Sequence, residues 1–244
     1  MTGYSEDLAY IHDAGFGDFA RRAAPGLLSA LHAQSIVSGL VVDLGCGSGI
    51  WAARLIEAGY DVLGIDISRT MIRLAKKKVP GAKFRVASLL SADIPACAAV
   101  TAIGEVINYT FDPRNNRRAL RTFFRRVFDA LRPGGMFVFD FANPGQISRA
   151  SRRRIWSLGP DWAILLDAAE DKRTHTLVRN MTSFRKQGKL YRRTDETHVV
   201  RLYRTDVLVR ELRRIGFRTR TSHTYGTMRL RAATTAIYAV KPEL

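Results

Sequence analysis

The first 141 residues alternate between short apolar runs rich in branched residues and segments whose apolar positions recur at helical spacing. Leu40–Leu44 (LVVDL), Asp61–Ile67 (DVLGIDI), Lys83–Ala87 (KFRVA), Ala98–Gly104 (AAVTAIG) and Met136–Phe141 (MFVFDF) read as strands. Between them, Ile50–Ala58 has helical periodicity with Gly59 as its stop. Ser68 is placed to cap a helix over Met71–Lys78, which Pro80-Gly81 closes. Arg114–Leu131 turns Leu120, Phe124, Val127, Phe128 and Leu131 to one side. Strands that alternate with helices in this way predict an α/β fold, a doubly wound Rossmann-like sheet.

The flanks follow other rules. Residues 1–38 read as a helical cover, with apolar faces at Phe16, Phe19, Ala20 and Ala23, then Leu27, Leu28 and Leu31, on either side of Pro25. Residues 146–204 alternate in the strand manner over Trp156–Ala168, Thr174–Arg185 and Lys189–Arg201. Gln187-Gly188-Lys189 serves as a hairpin turn, and the segment is an antiparallel insertion. Its last run, Glu196–Tyr203, sets Glu196, His198, Val200 and Leu202 on one face. A helix over Val207–Ile215 and strands over Phe217–Tyr225 and Thr234–Val240 close the chain. The expected division is a cover over 1–38, a core domain over 39–145 and 205–244, and the insertion between them.

The candidate chemistry lies where the first strand ends. Gly45, Gly47 and Gly49 turn the chain sharply into a helix, so backbone N–H groups and bare Cα atoms face a ligand. About twenty residues on, Asp66 ends the second strand, where a carboxylate accepts hydrogen bonds from ribose hydroxyls. A pyrophosphate site needs G-x-G-x-x-G, and Ile50 occupies the sixth position here. The pattern is instead D-x-G-x-G-x-G, opened by Asp43.

That pattern resembles motif I of the class I S-adenosylmethionine (SAM) dependent methyltransferases. The L-R-P-G-G of residues 131–135 ahead of an apolar strand is similar to the same superfamily. The resemblance implies strand order 3-2-1-4-5-7-6 with the last strand antiparallel. It also implies a small-molecule-type enzyme whose insertion after the fifth strand covers the active site. Asp43, Gly45, Cys46 and Gly47 would hold the methionine part of SAM, and Asp66 the ribose. Ile67 and Met71 would flank adenine, with Ser88 and Leu89 standing where relatives often carry an acid. Gly104 and Glu105 would line the reaction site beside Asn108 and Tyr109, and Tyr4, Tyr10 and His12 of the helical cover would close it. The E-x-H-x-x-R-x-Y run from Glu196 to Tyr203 resembles small-molecule N- and O-methylating relatives. His198, Tyr109, Glu105 and His12 stand as candidate bases, and the sequence does not choose among them. Asp140 and Asn143 end the fifth strand, where either is a possible substrate contact, although a structural cap or turn role for Asn143-Pro144-Gly145 is the favoured reading. The [DNS]-P-P-[YF] motif of amide- and base-methylating enzymes is absent, since Asn108-Tyr109-Thr110 holds no proline.

Composition changes the picture at two points. Two cysteines, Cys46 and Cys97, give neither a disulfide framework nor a metal site, and fit a reducing, cytoplasmic compartment. No run of apolar residues is long enough for a membrane span. Net charge is +17, a field that favours anionic partners. The arginines are spread over several segments: 117, 118, 121, 125, 126 and 132 on the long helix, 149 and 152–154, and 185, 192 and 193 with Lys186 and Lys189. The expected function is SAM-dependent methylation of an N or O nucleophile on a small molecule, with nucleic acid a less favoured partner. An RNA or ribosomal methyltransferase and a non-catalytic SAM-binding scaffold are the alternatives.

Overall fold

A seven-stranded sheet carries the structure, in the order β10-β13-β5-β4-β1-β2-β3. The computed structural model describes residues 4–147 and 152–243. Five strands run parallel: β1 (Leu40–Leu44), β2 (Asp61–Asp66), β3 (Lys83–Val86), β4 (Cys97–Ala102) and β5 (Leu131–Ala142). β13 (Thr234–Val240) is antiparallel to both β5 and β10 (Arg218–Ser222). In sequence order this is 3-2-1-4-5-7-6, the order expected. Val42 and Leu44 face one apolar cluster, with α5 (Arg117–Ala130) and α6 (Thr205–Ile215). Val41 faces the opposite one, with α2 (Asp18–Ala33) and α3 (Ile50–Glu57). A strand buried on both faces has no polar side to present, which is why the apolar runs were legible.

The remaining elements are α1 (Glu6–Gly15), α4 (Arg69–Lys78), a two-strand hairpin β11 (Thr224–Tyr225) and β12 (Met228–Arg229), and a separate four-stranded sheet. That sheet is β6 (Arg152–Leu158), β7 (Trp162–Asp171), β8 (Thr176–Gln187) and β9 (Leu190–Arg201), antiparallel throughout. It is the expected insertion with one strand more. The run 156–168 is broken at Gly159–Asp161, where Pro160 supplies no backbone N–H for a ladder. Arg152–Arg154 therefore belong to a strand, while Arg149 lies outside the described residues. Leu202 and Tyr203 fall beyond the end of β9, although Leu202 stays buried.

Two helical boundaries also shift. The long helix begins at Arg117, because the Asn116 side chain caps Ala119 N–H at 3.0 Å and Asp112 holds Arg114 in the preceding loop. It ends at Ala130, so Leu131 and Arg132 start β5 instead. The register slips there between Cys97 and Ala99, and the Arg-Pro-Gly-Gly segment bulges from the ladder. Residues 217–225 do not form one strand: β10 stops at Ser222 and the chain folds back through β11 and β12.

Asn108 joins the two sheets. It is fully buried and donates through Nδ2 to the carbonyls of Ala142 (3.1 Å) and Arg201 (2.6 Å), while Oδ1 accepts from Ala142 N–H at 3.0 Å. On the other face, α2 passes close to the β11 turn. A Cβ on Gly26 would lie 2.3 Å from the carbonyl carbon of Tyr225 and 2.4 Å from the Gly226 nitrogen. Both obstacles are backbone, so neither can rotate away. Gly26→Ala is expected to cost about 3 kcal/mol, the upper range for overpacking, and urea unfolding measures it. A cost near zero would mean that α2 shifts freely.

Candidate active site

The strand ends of β1, β2, β4 and β5 converge beneath α1 and the four-stranded cover. At the glycine turn, Gly45 and Gly47 adopt φ of +67° and +53°, a region side chains rarely occupy. Position 47 faces open space, since a Cβ there would meet no atom within 4 Å. Asp66 braces the turn: Oδ2 accepts from Gly47 N–H at 2.9 Å and Oδ1 from Ser68 N–H at 2.8 Å. A carboxylate has about four acceptor sites, so two remain for a ligand. Burial pushes the Asp66 carboxyl up against the lowering effect of Ser68 and Gly47. Asp43 lies deeper, 2% exposed, and takes a hydrogen bond from Thr101 Oγ1 at 2.8 Å; Thr101 in turn accepts from Trp51 Nε1 at 3.1 Å. Cys46 is buried in the turn, and burial raises its thiol well above the ordinary value, so it is not a reactive thiolate.

Around the adenine positions, Met71 is buried and Ile67 partly exposed. The carbonyls of Ser88 and Leu89 are both engaged. Ser88 accepts from the N–H groups of Ser91 (3.0 Å) and Ala92 (2.8 Å), and Leu89 accepts from Arg126 Nη2 at 2.8 Å. The Leu89 carbonyl, with one hydrogen bond, keeps an acceptor site for a ligand, whereas the Ser88 carbonyl takes two.

The other wall is aromatic. Tyr4 meets His12 and His198 edge-on, each at 5.2 Å between ring centroids. Phe111 stands edge-on to His198 at 4.7 Å and stacks on Tyr109 at 4.9 Å. His198 Nε2 lies 3.1 Å from Glu196 Oε2, and the second Glu196 oxygen accepts from Ser5 N–H at 3.2 Å. Burial tends to raise the Glu196 carboxyl, but His198 and Ser5 outweigh it and hold it low. Burial drives His12 down to about 4, which keeps it neutral near pH 7.

Between the two walls, Arg179 Nη2 donates to Glu105 Oε2 at 2.8 Å and Nη1 to the Tyr109 hydroxyl at 3.2 Å. Burial opposes the Arg179 charge, yet Tyr109 and Glu105 hold its pKa above the usual value. The Tyr4 phenol is raised well above its usual range, first by burial, then by Tyr109, with Arg179 opposing and Asp66 adding. Tyr4 thus packs against His12, Phe111 and His198, and its phenol feels the charges of Arg179 and Asp66. Of the expected site residues, Tyr4, His12, Glu105, Tyr109 and His198 are brought together, and Arg179, Phe111 and Glu196 join them. Arg179 was within reach of the sequence. The two-residue turn at Gly188-Lys189 fixes the hairpin register, which sets Arg179 directly opposite His198.

Tyr10 does not face the site; its hydroxyl donates to Asp161 at 2.7 Å. Asp140 is a brace rather than a free carboxylate. It accepts from the N–H groups of Gly104 (2.8 Å) and Glu105 (3.0 Å) and from the Tyr225 hydroxyl (2.8 Å). It thereby holds Glu105 in a left-handed conformation of φ +62°. Asn143 likewise spans backbone and side chains, donating to Tyr203 O and Thr205 Oγ1. α1 is fastened on both sides. Asp7 accepts from Arg192 at 2.5 Å and Arg185 at 3.3 Å on the cover, while Asp13 accepts from Ser48 Oγ at 2.6 Å and pairs with Lys78.

Two buried carboxyls make stability depend on pH. Burial raises Asp43 to about 7 and Asp140 to about 6, from an ordinary 3.8. Folded pKa values above the unfolded ones mean that their contribution is whole below about pH 4 and is lost as pH rises through 6 and 7. Asp7 and Glu211, held low by arginines, act only in acid, where their contribution disappears as pH falls below about 4. Unfolding free energy is therefore expected to fall by a few kcal/mol between about pH 5 and pH 8. Asp43→Asn should flatten part of that slope. Urea titrations across the range test it, and a flat wild-type profile contradicts it.

Residues 41–135 match a family model described as a methyltransferase domain. YqeM of Bacillus subtilis strain 168, itself assigned only provisionally as a methyltransferase, is 26% identical over 187 residues, 73% of each chain. An S-adenosylmethionine-dependent methyltransferase from Clostridium acetobutylicum superposes with TM-score 0.81 at 17% identity, over 97% of this chain and 98% of that one. A sugar N-methyltransferase from Streptoalloteichus gives TM-score 0.78 at 18% identity, over 100% and 95%. The domain match begins at the strand leading into the glycine turn, and the whole chain shares the fold of solved S-adenosylmethionine-dependent methyltransferases, so residues 41–135 are a methyltransferase domain.

Proposed function

We propose that the chain moves the methyl group of SAM to an N or O nucleophile of a small molecule held between the glycine turn and the cover sheet. The observation that carries this reading is the continuity of the two walls. Tyr4 packs edge-on against His198 and Phe111 of the aromatic wall, and the field of Asp66 at the glycine turn reaches its phenol.

The residues present suit SAM. The open space at Gly47 admits a ligand against the backbone, and Asp66 keeps free acceptor sites for ribose hydroxyls. Asp43, Gly45 and Cys46 would hold the amino-acid end of SAM, Ile67 and Met71 would flank its adenine, and Gly104 and Glu105 would stand toward the acceptor. When bound, SAM supplies an electrophilic methyl on a sulfonium that is a good leaving group.

The protein's share is alignment, exclusion of water and handling of one proton. Tyr4, Tyr109 and Phe111 supply aromatic faces and edges that favour a cationic or apolar group. His198, oriented by Glu196, accepts the acceptor's proton, and Glu196 stabilises the imidazolium that results. Tyr109 is held by Arg179 for a hydrogen bond to the acceptor. The cover above these residues suits a small molecule better than a polynucleotide. The similarity to a sugar N-methyltransferase supports the same class.

Calorimetric titration with SAM and with its demethylated product tests the cofactor. Transfer of labelled methyl to panels of amines, alcohols and phenols, with RNA in parallel, tests the acceptor. Folded protein that binds neither ligand overturns the reading. Methylation of RNA alone replaces the small-molecule half of it.

A further inference from the structure

Most of the large apolar side chains that the described residues leave exposed lie on the cover sheet, and three of them are on its edge strand. Ile155 is 42% exposed, Trp156 71% and Leu158 67%, with Leu165 of β7 beside Trp156 at 49%. Among the described residues β6 pairs only with β7, so its other side presents backbone N–H and C=O groups that no described strand meets. An edge that is both open and apolar is a template for another strand.

The sequence of that edge selects the partner. Residues 152–158 read Arg-Arg-Arg-Ile-Trp-Ser-Leu, a basic half followed by a mainly apolar half. We propose that two copies of the chain pair antiparallel along β6 about a two-fold axis at Ile155, joining the two cover sheets into one continuous sheet. In that register Arg154 stands opposite Trp156 of the partner subunit and Arg152 opposite Leu158 of the partner subunit. No arginine faces an arginine directly. Arg154 and Trp156 share the outer face, so the guanidinium meets the indole in a cation–π pair. Ile155, on the inner face, meets Ile155 of the partner subunit on the axis. Asp167 already pairs with Arg152 and Arg154, lowering the charge that each strand brings to the seam. A two-fold centred on Arg154 would oppose arginines, and one centred on Trp156 would set indole against indole and give up the guanidinium–indole pairing.

The test is sedimentation velocity over a wide range of protein concentration, with variants at the axis. Wild type is expected to dimerise. Added salt should tighten association, because each copy carries net charge +17 and long-range repulsion is screened. Ile155→Lys sets like charges against each other and should weaken the dimer at least about tenfold. Ile155→Cys should cross-link to itself under mild oxidation, because opposed residues in an antiparallel pair lie about 4.5 or 5.5 Å apart at Cα, within disulfide reach. Cys46 and Cys97 are buried and do not confuse that readout. A monomer at every concentration overturns the proposal. So does a dimer that ignores Ile155→Lys and gives no cross-link at position 155. A monomer whose Trp156 fluorescence shifts on anionic lipid vesicles also overturns it, by assigning the apolar face to a membrane surface.

Discussion

Asp66→Ala is expected to lower the affinity for SAM about a hundredfold or more while leaving a folded protein. Asp66 has two tasks: it accepts from Gly47 and Ser68 N–H, and it offers the remaining acceptor sites toward the open space at Gly47. Hydrogen bonds to a charged acceptor contribute about 1.5–3 kcal/mol each, so losing two from the ribose accounts for that factor. Asp66→Asn keeps one acceptor oxygen and the side-chain volume, and should fall between Asp66→Ala and wild type. Calorimetry on the three proteins, with thermal unfolding to verify folding, separates a lost ligand contact from a collapsed turn. An Asp66→Ala protein that binds within a few-fold of wild type would remove Asp66 from the cofactor site.

Arg179→Met is expected to cost about 3–5 kcal/mol of stability, because Glu105 would stay buried with no cation beside it. Side-chain exposures are 16% for Arg179 and 13% for Glu105, so water replaces little of what is lost. Glu105 has no easy retreat, since Asp140 fixes its backbone through two N–H groups. Adding Glu105→Gln to Arg179→Met removes the stranded charge and should restore most of the loss. Arg179→Lys keeps the charge but cannot reach Glu105 and Tyr109 in one fork; it should hold stability better than it holds methyl transfer. Urea unfolding of the two single variants and the double variant gives the coupling directly. Additive costs would mean that the pair is solvated and weak.

Sequence and structure agree best where one physical demand acts alone. β1 and β5 must satisfy a core on both sides, so their apolar runs declare them, and the sheet order follows from the motif between them. Ser68 caps its helix as its residue type predicts, accepting from Met71 N–H at 3.3 Å. Agreement fails where local preference yields to a distant partner. Arg114 looks helical until Asp112 claims its guanidinium, and Arg132 continues an amphipathic pattern that the β5 ladder interrupts. At the candidate site, Asp66 was legible because one turn and one strand end place it. Asp140 reads as a free carboxylate in sequence, yet three donors from two other segments occupy it. Phe111 carries no motif at all, and only the crossing of its loop beneath β9 sets it against His198.

Asn108 bears on how anything enters the chamber. Its amide group bonds the end of β5 and the end of β9 much as another peptide unit would, and no water reaches it. The roof is therefore spliced to the floor, and the two tilt together or not at all. What can part is α1, whose fastenings to either side are mainly side-chain contacts, Asp7 with Arg192 and Asp13 with Ser48 and Lys78. Entry along the first helix would then mean parting pairs whose carboxylates lie largely out of water, Asp7 3% and Asp13 15% exposed, so that salt screens them little.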